Sequence, residues 1–246
     1  MNAKLQIAGV AKETGALLKT YLKDRGLTLV KDSEKVICYG VPTSSPTNIN
    51  GNCGGGDKIR RMKQMDAGGV RTVPWFQGSE VPEGFKFPAL ARAIAGHGGT
   101  DIVPVFQASE VPWRVEAGWN WFSSHIPTKT EFRVWVWRNE LLDVYEKTMQ
   151  RPWDYKYVGR NFRNGFDFTV NLTYPEAAVE QAKKVIKALS FDFGAVDMLE
   201  GLDGKIYVLE CNTAPGVLRS GAQSTLGKLA DRMATWAKEG TPERGY

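Results

Sequence analysis

The sequence lacks the features of membrane-spanning proteins and of secreted proteins. No run of apolar residues approaches the length of about 20 that a membrane-spanning helix needs. The first residues, MNAKLQIAGVAKETG, are too polar for a secretory signal peptide. We therefore expect a cytoplasmic protein that has no membrane partner.

Cysteine and histidine are also scarce. The three cysteines, Cys38, Cys53 and Cys211, are odd in number and have no zinc-site spacing, so reduced thiols are expected. Because His97 and His125 are the only histidines, a histidine-rich metal site is excluded. Nothing near either histidine supports a Ser-His-Asp or Cys-His catalytic group.

The remaining composition is that of a globular protein with a mild basic excess. Hydrophobic residues make up 42% of the 246 residues, which is enough for one or two domains with their own cores. The 32 basic and 27 acidic residues give a net charge of +5, which suits an anionic ligand such as a nucleotide. The aromatic residues do not interleave with basic ones as in RNA-binding motifs, which disfavours nucleic acid as a partner.

The order of apolar patterns predicts a mixed α+β chain. A loop rich in proline, asparagine, serine and glycine at 41–57 separates an N-terminal α/β segment from the rest. Strands are predicted at 3–10, 27–40, 71–76, 89–94, 101–106 and 119–126, a hairpin at 131–147, and helices at 13–25, 57–69 and 225–240. A further helix is predicted to start with a capping box from Thr173 to Glu176.

The most informative segment is a predicted hairpin at 194–212. Its two-residue turn is predicted at Asp203-Gly204, between two β-prone runs. This turn places Asp197 directly across from Glu210, and Asn212 then lies on the same face. The same register predicts the apolar neighbours of this face to be Leu199, Val208 and Ile206, and those of the other face to be Val196, Met198 and Leu209.

Two carboxylates placed directly opposite each other repel, and apolar neighbours strengthen the repulsion. A hard divalent cation relieves it, because Mg²⁺ prefers carboxylate, amide and phosphate oxygens. Asp197, Glu210 and Asn212 are therefore a candidate metal site. The alternative is a pair of solvated acids at the end of a sheet, or a pair that shares one proton.

Residues 195–216, AVDMLEGLDGKIYVLECNTAPG, resemble the metal-binding end of ATP-grasp proteins. In that superfamily an Asp on one strand and a Glu-x-Asn on the next hold two Mg²⁺ or Mn²⁺ ions. The resemblance covers most of residues 57–238 in the expected order. It is strongest to the short bacteriophage-type ATP-grasp proteins and more distant to the enzyme that adds glutamate to a ribosomal protein.

This resemblance implies an ATP-grasp fold, in which two α+β lobes grip ATP and its divalent cations. The implied division is a shortened N-terminal α/β segment at 1–56, a small lobe with a glycine loop at 57–118, and a large lobe with the metal site at 119–246. The N-terminal segment is short for a domain that helps to bind substrate. The substrate site could therefore be completed by the second subunit of a homodimer or by a macromolecular acceptor.

The resemblance further implies residues that bind the nucleotide. Phosphates would be bound by Lys58 at the start of a helix and by Arg92 at the end of a strand. Most members of the superfamily carry lysine at the position of Arg92. Lys58 could alternatively be part of a basic surface. A glycine loop would close over the phosphates, and a hinge would bind adenine through its backbone. The loop is Gly96, His97, Gly98 and Gly99, and the hinge is Ser124, His125 and Ile126. The acidic residue that is usual in this hinge is missing, and Ser124 stands near its position. The side chains therefore do not indicate which base is bound, and ATP is expected over GTP from the resemblance alone.

Catalytic residues are implied in the large lobe. Arg133 lies in Glu131-Phe132-Arg133-Val134, which resembles the Asp/Glu-x-Arg-Val strand of the superfamily. Lys147 aligns with a basic residue near the phosphates. Two pairs, Arg160-Asn161 and Arg163-Asn164, resemble the segment that touches the transferred phosphate, and we take Arg163 and Asn164 as the candidates.

The implied activity is an ATP-dependent carboxylate–amine ligase that works through an acyl phosphate. Its partners would be ATP, a carboxylate and an amine, with an amino acid or an acidic peptide or protein as acceptor. Two alternatives stay open: a kinase of the same fold that phosphorylates a hydroxyl, and a nucleotide-dependent binding protein without catalysis.

Overall fold

A computed structural model of the chain describes residues 3–9, 12–41, 48–53, 58–93, 102–149, 166–171, 173–217 and 222–240. The predicted glycine loop at 96–99 and both Arg-Asn pairs at 160–164 lie outside these residues. The described residues form three sheets and five α-helices, so the predicted α+β class is confirmed. None of the described helices has the length and apolar character required to cross a bilayer.

The N-terminal unit is a small parallel sheet with one helix. It consists of β1 (Lys4–Ala8), α1 (Lys12–Asp24), β2 (Thr28–Leu29) and β3 (Val36–Cys38), in the strand order β2-β1-β3. Ile49 pairs with Ile37 and extends this sheet beyond β3. The predicted strand at 3–10 and helix at 13–25 are confirmed, whereas the range 27–40 forms two short strands, β2 and β3, in place of the one predicted.

The second sheet is antiparallel and has four strands. The elements are α2 (Lys58–Ala67), β4 (Trp75–Gln77), β5 (Ala89–Arg92), β6 (Ile102–Val105), α3 (Val111–Glu116) and β7 (Trp121–Ser124), and the strand order is β4-β7-β5-β6. One face of this sheet packs on α3 through Phe76, Ala91 and Phe122. The sequence pattern did not predict α3. The strand β7 lies beyond the predicted lobe boundary at 118 but pairs within this sheet.

The third sheet is the largest and holds five antiparallel strands. The elements are β8 (Thr128–Trp137), β9 (Glu140–Met149), β10 (Phe166–Val170), α4 (Glu176–Ala188), β11 (Phe193–Gly201), β12 (Ile206–Asn212) and α5 (Gln223–Glu239). The strand order is β10-β9-β8-β11-β12. The predicted hairpin at 131–147 is confirmed as β8 and β9, with Arg138 at φ 51° in the turn.

Both faces of the five-stranded sheet are covered, because side chains alternate along each strand. One face, which includes Val134 and Val196, packs on α2 and α4. The other face carries Trp135 and Phe193 and shares a core with α1, α5 and the N-terminal sheet. The N-terminal unit is therefore built into the core of the large sheet.

The hairpin of β11 and β12 differs from the predicted one at its turn. The Gly201 N–H donates to the Lys205 carbonyl at 2.9 Å, so three residues form the loop, and Gly204 adopts φ 74°. A β-bulge then shifts the register by one residue between Asp197 and Met198. The predicted two-residue turn is wrong, whereas the predicted pairing of Asp197 with Glu210 is confirmed.

The bulge also changes which apolar residues accompany the carboxylates. Val208 pairs with Met198, and Ile206 pairs with Glu200. Both side chains therefore lie on the face of Val196 and Met198, opposite to Asp197, and contribute to the core under α4. The predicted placement of Val208 and Ile206 beside Leu199 is wrong, because a shift of one residue moves side chains to the other face.

The start of α4 also differs from its prediction. The helix begins at Glu176 after Pro175, which has extended backbone (ψ 130°) and makes no side-chain cap. Thr173 instead receives a turn hydrogen bond, in which its N–H donates to Asn171 Oδ1 at 2.8 Å. The predicted capping box is therefore wrong, because the helix begins too late for Thr173 to be its N-cap.

Candidate functional site

A row of charged residues crosses the five-stranded sheet on the face that carries Asp197. Arg133 of β8 pairs directly with Asp197 of β11, which pairs directly with Glu210 of β12. Because paired residues of antiparallel strands project to one side, these three charges lie next to one another. The structure thus brings together two predicted metal ligands and one predicted catalytic arginine.

Arg133 and Asp197 form a bidentate ion pair. Arg133 Nε donates to Asp197 Oδ1 at 2.7 Å, and Nη2 donates to Oδ2 at 2.8 Å. Lys147 Nζ lies 3.6 Å from Asp197 Oδ2 and 3.4 Å from Glu131 Oε2. The side chains of Asp197 and Lys147 are only 5% and 7% exposed, so water screens these interactions weakly.

The pKa shifts in this cluster favour the charged forms. Burial alone would raise the pKa of Asp197, but the charges and hydrogen bonds of Arg133 and Lys147 outweigh it and lower that pKa to about 2. Burial likewise opposes the charges of Arg133 and Lys147, yet Asp197 and Glu131 raise the pKa of both groups. All three side chains are therefore ionised at neutral pH.

Glu210 and Asn212 offer further oxygen atoms beside Asp197. No hydrogen bond or ion pair of the Glu210 carboxylate is found within the described part of the chain, and Asn212 Oδ1 accepts one from the Ala214 N–H at 2.9 Å. The described residues contain no group of three or more His, Cys, Asp or Glu side chains that would hold a metal ion. A set of two carboxylates and one amide still suits Mg²⁺, which takes few protein ligands and completes its shell with water or phosphate.

Arg92 approaches this cluster from the four-stranded sheet. Its charge interacts with Glu210 and Glu131 across the gap between the sheets. Burial lowers the pKa of Arg92, and those two carboxylates offset the decrease only in part. Arg92 Nε is buried without a hydrogen bond, and no ion pair of Arg92 is found among the described residues. Since a buried guanidinium nitrogen without a hydrogen-bond acceptor is costly, this group is suited to receive an anion.

The charges of the cluster cancel. The three acids and three bases are Glu131, Asp197, Glu210, Arg92, Arg133 and Lys147. The formal charge of these six side chains is therefore zero, so the cluster can contact an anion through its bases and a cation through its acids.

The predicted hinge connects the two sheets. The Ser124 N–H donates to the Pro74 carbonyl at 2.8 Å, and the His125 N–H donates to the Pro88 carbonyl at 2.9 Å. The Ser124 hydroxyl donates to the Lys86 carbonyl at 3.2 Å. These three donors are therefore engaged within the chain. No backbone hydrogen bond of the Ile126 N–H is found in the described part of the chain.

Helix α2 reaches the same region from the outer side of β12. Lys58 is its first residue and is half-buried. Arg61, one turn later, donates from Nη1 to the Cys211 carbonyl at 3.1 Å and from Nη2 to the Cys53 carbonyl at 2.9 Å. Cys211 lies between Glu210 and Asn212, so Arg61 fixes the strand that carries both candidate ligands.

Sequence reasoning missed the contacts that Glu131, Arg61 and Trp121 make. Glu131 faces Lys147 and is just 7% exposed. Arg61 holds β12, and the Trp121 ring lies 5.1 Å from the guanidinium carbon of Arg92. The spacing of two residues between Glu131 and Arg133 was the available signal, since it places both on one face of a strand. No local pattern distinguishes Arg61 or Trp121 from other basic or aromatic residues.

Comparison with known proteins identifies the fold. No protein-family model matches the sequence, and no curated protein matches it. Among solved structures, the ATP-grasp ligase PsnB with a minimal precursor matches with a TM-score of 0.65 and 12% identity, over 94% of this chain and 98% of that chain. The D-alanine–D-alanine ligase from Bacillus anthracis, complexed with ATP, matches with a TM-score of 0.66 and 17% identity, over 98% and 100%.

A third similar structure is the RiPP-associated ATP-grasp ligase from Chryseobacterium gregarium, in complex with ADP and a leader and core peptide. Its TM-score is 0.66 at 13% identity, over 99% of this chain and 98% of that chain. The similarity extends over nearly the whole of each chain, and at these identities it concerns the fold. The chain has the ATP-grasp fold, as its sequence predicted.

Proposed function

We propose that the chain is an ATP-dependent ligase that joins a carboxylate to an amine through an acyl phosphate. The observation that carries this proposal is the neutral cluster of three acids and three bases between the two sheets. Arg92 stands on the four-stranded sheet, and Arg133, Asp197 and Glu210 stand on the five-stranded one. Such a site supplies positioning and charge neutralisation, which are the main requirements of phosphoryl transfer.

In the first step a substrate carboxylate oxygen attacks the terminal phosphorus of ATP. An O–P bond forms, the bond to the bridging oxygen breaks, and ADP leaves. Arg92 and Lys147 are placed to offset the negative charge on the phosphate oxygens. Arg133 keeps Asp197 ionised and oriented throughout.

In the second step an amine attacks the carbonyl carbon of the acyl phosphate. The C–N bond forms, phosphate leaves with the bonding electron pair, and the amine loses its proton. No side-chain nucleophile is needed, in agreement with the absence of a recognisable one in the sequence. Water must be kept away from the acyl phosphate, and the predicted glycine loop at 96–99 is proposed to do this.

Asp197, Glu210 and Asn212 are proposed to hold Mg²⁺ or Mn²⁺. When bound, these cations would neutralise negative charge on the phosphates. Lys58 is proposed to bind phosphates, and Ser124, His125 and Ile126 are proposed to border the base. Arg163 and Asn164 are proposed to contact the transferred phosphate. The proposed lobes are 57–118 and 119–246, after the N-terminal segment at 1–56.

An amino acid or a peptide is the proposed acceptor class. Two of the similar structures hold a precursor peptide or a leader and core peptide, and a third is a ligase of D-alanine. The net charge of +5 also suits an acidic acceptor. A cytoplasmic location, where ATP is abundant, belongs to the same proposal.

The proposal is tested by Mg²⁺-dependent ADP release in the presence of pooled amino acids and acidic peptides, with mass spectrometry of the products. We expect acceptor-stimulated release and a product lighter by one water than its two substrates. A stable phosphoester instead would identify a kinase. ATP binding without stimulated release by any pool would contradict the ligase proposal.

The metal ligands are tested by Glu210→Gln, which keeps the shape of the side chain and the Arg133–Asp197 pair. We expect the rate of ADP release to fall by about 100-fold or more, because the proposed ligand loses the negative charge that attracts the cation. Glu200→Gln is the matched control, since Glu200 lies on β11 and pairs with Lys129 at 2.9 Å. Equal rates in both variants would contradict the proposed ligand role.

A further inference from the structure

Arg92 forms a cation–π contact with the indole ring of Trp121. The two residues occupy directly paired positions on β5 and β7. The Arg92 guanidinium carbon lies 5.1 Å from the ring centroid, which is a cation–π distance. Trp121 is 3% exposed, so this contact is shielded from water.

Other interactions of this pair within the described residues are few. Arg92 Nε and Trp121 Nε1 are both buried without a hydrogen bond among the described residues. The two carboxylates that act on Arg92, Glu210 and Glu131, belong to the five-stranded sheet. Among the described residues of the four-stranded sheet, the Trp121 ring is the group that forms a cation–π contact with the guanidinium.

The contact also accounts for arginine at this position. A planar guanidinium stacks on an aromatic face, whereas a lysine ammonium is a compact, strongly hydrated charge. Burial of that ammonium against the ring would cost more hydration and allow more rotamers. Arg92 and Trp121 therefore form a unit in which the ring selects the type of cation.

We propose that Trp121 is a positioning residue that holds the Arg92 guanidinium in the gap between the two sheets, ready for the phosphates of the nucleotide. This inference rests on the proposed nucleotide site and adds to it a residue that touches no phosphate. Arg92 binds the anion, and Trp121 limits the orientations that Arg92 can adopt.

The test is a double-mutant cycle on ATP binding, measured by calorimetry with Mg²⁺ and without acceptor. We expect Trp121→Leu to weaken ATP binding by about 10-fold, which lies within the range of a partly or fully desolvated cation–π contact. Trp121→Phe keeps an aromatic face and is expected to weaken binding by less than about threefold. In the Arg92→Ala background, Trp121→Leu is expected to change affinity by less than about twofold, because its target is gone.

Phe122→Leu is the matched control. Phe122 is the next residue on β7, is fully buried, and packs on α3 at the opposite face of the sheet. We expect its effect on ATP affinity to be the same with and without Arg92. If Trp121→Leu fails to fold, the coupling can be measured with Arg92→Lys instead. The loss of ATP affinity from Arg92→Lys is then compared between the wild-type chain and the Trp121→Phe variant.

Two results would overturn the inference alone. One is an equal loss of ATP affinity from Trp121→Leu in the presence and absence of Arg92, which would make Trp121 a packing residue. The other is a Trp121→Phe variant that binds ATP as weakly as Trp121→Leu. A wild-type chain that binds no ATP would instead overturn the proposed function, and this inference with it.

Discussion

Asp197 is the most strongly perturbed carboxylate among the proposed ligands, and its state depends on two basic neighbours. Burial would push this carboxyl toward its neutral form, but Arg133 and Lys147 reverse the balance. Arg133 and Lys147 therefore hold Asp197 in the charged form that a proposed cation ligand needs.

The lowered pKa of Asp197 predicts an acid-dependent loss of stability in the metal-free protein. The folded pKa of about 2 lies below the ordinary value of 3.8. The contribution is therefore complete above about pH 4 and is lost as the pH falls through 2, with a size of about 2 kcal/mol. We expect the difference in free energy of unfolding between wild type and Asp197→Asn to shrink by this amount on acidification.

This difference is measured by urea unfolding at several pH values. Asp197→Asn is expected to be less stable than wild type by about 3–5 kcal/mol at neutral pH, since two buried cations lose their partner. A gap between the two proteins that stays constant from neutral to acidic pH would contradict the ion-pair account.

At the scale of elements, the hairpin of β11 and β12 depends on close packing at Gly194. A Cβ at this position would lie 2.6 Å from Cys211 Sγ and 3.2 Å from Ile186 Cδ1. Since Cys211 stands between Glu210 and Asn212, any side chain at 194 pushes on the strand that carries both proposed ligands. The absence of a side chain at 194 thus allows α4 and β12 to close around β11.

We expect Gly194→Ala to lower the free energy of unfolding by about 1–3 kcal/mol through overpacking. The second substitution Cys211→Ala removes the sulfur in conflict and should restore most of that loss. Chemical denaturation of the two single variants and the double variant measures the coupling. Additive losses in the double variant would show that the clash is not the cause.

Gly227→Ala serves as the control for this prediction. Gly227 lies inside α5, where the nearest atoms to a new Cβ are 3.9 Å and 4.0 Å away. Because alanine favours the helix over glycine, this variant is expected to gain about 0.5–1 kcal/mol. The two glycine substitutions should therefore change stability in opposite directions.

At the scale of the whole molecule, the N-terminal unit is tied to the large sheet by a buried polar contact. Asn50 is fully buried at φ 53°. Its Oδ1 accepts hydrogen bonds from the N–H groups of Asp192 and Phe193 at 2.6 Å and 3.1 Å, and its Nδ2 donates to the Phe193 carbonyl at 2.9 Å. One side chain thus satisfies three backbone groups at the start of β11.

Asn50→Ala is expected to lower the free energy of unfolding by about 3 kcal/mol or more, because these buried groups lose their partners. Calorimetry should still show a single cooperative transition, since the N-terminal unit and the large sheet share one core. Asn52→Ala is the control: Asn52 is exposed and makes one hydrogen bond, to the Leu189 carbonyl at 3.3 Å.

The control variant is expected to lose less than about 1 kcal/mol. If Asn50→Ala produced two separate transitions, the N-terminal unit would be an independent domain. If it were as stable as Asn52→Ala, the buried contact would not connect the two units.

Much of the architecture was encoded locally. The sequence pattern at 131–147 predicted β8 and β9, and a further helix was predicted after Thr173, where α4 lies. The predicted pairing of Asp197 with Glu210 is confirmed because the longer turn and the bulge offset each other by one residue. These features depend on contacts within a few tens of residues, where periodicity and turn preferences are strong.

The sequence by itself determined the order of helices and strands and the grouping of Asp197, Glu210 and Asn212 at one end of a hairpin. Only the tertiary structure decided that a bulge exchanges the faces of Val208 and Ile206, and that Arg92 meets Glu210 and Glu131 from another sheet. The physical reason is range: a bulge and the approach of two sheets depend on packing between residues far apart in the chain, which no local pattern records.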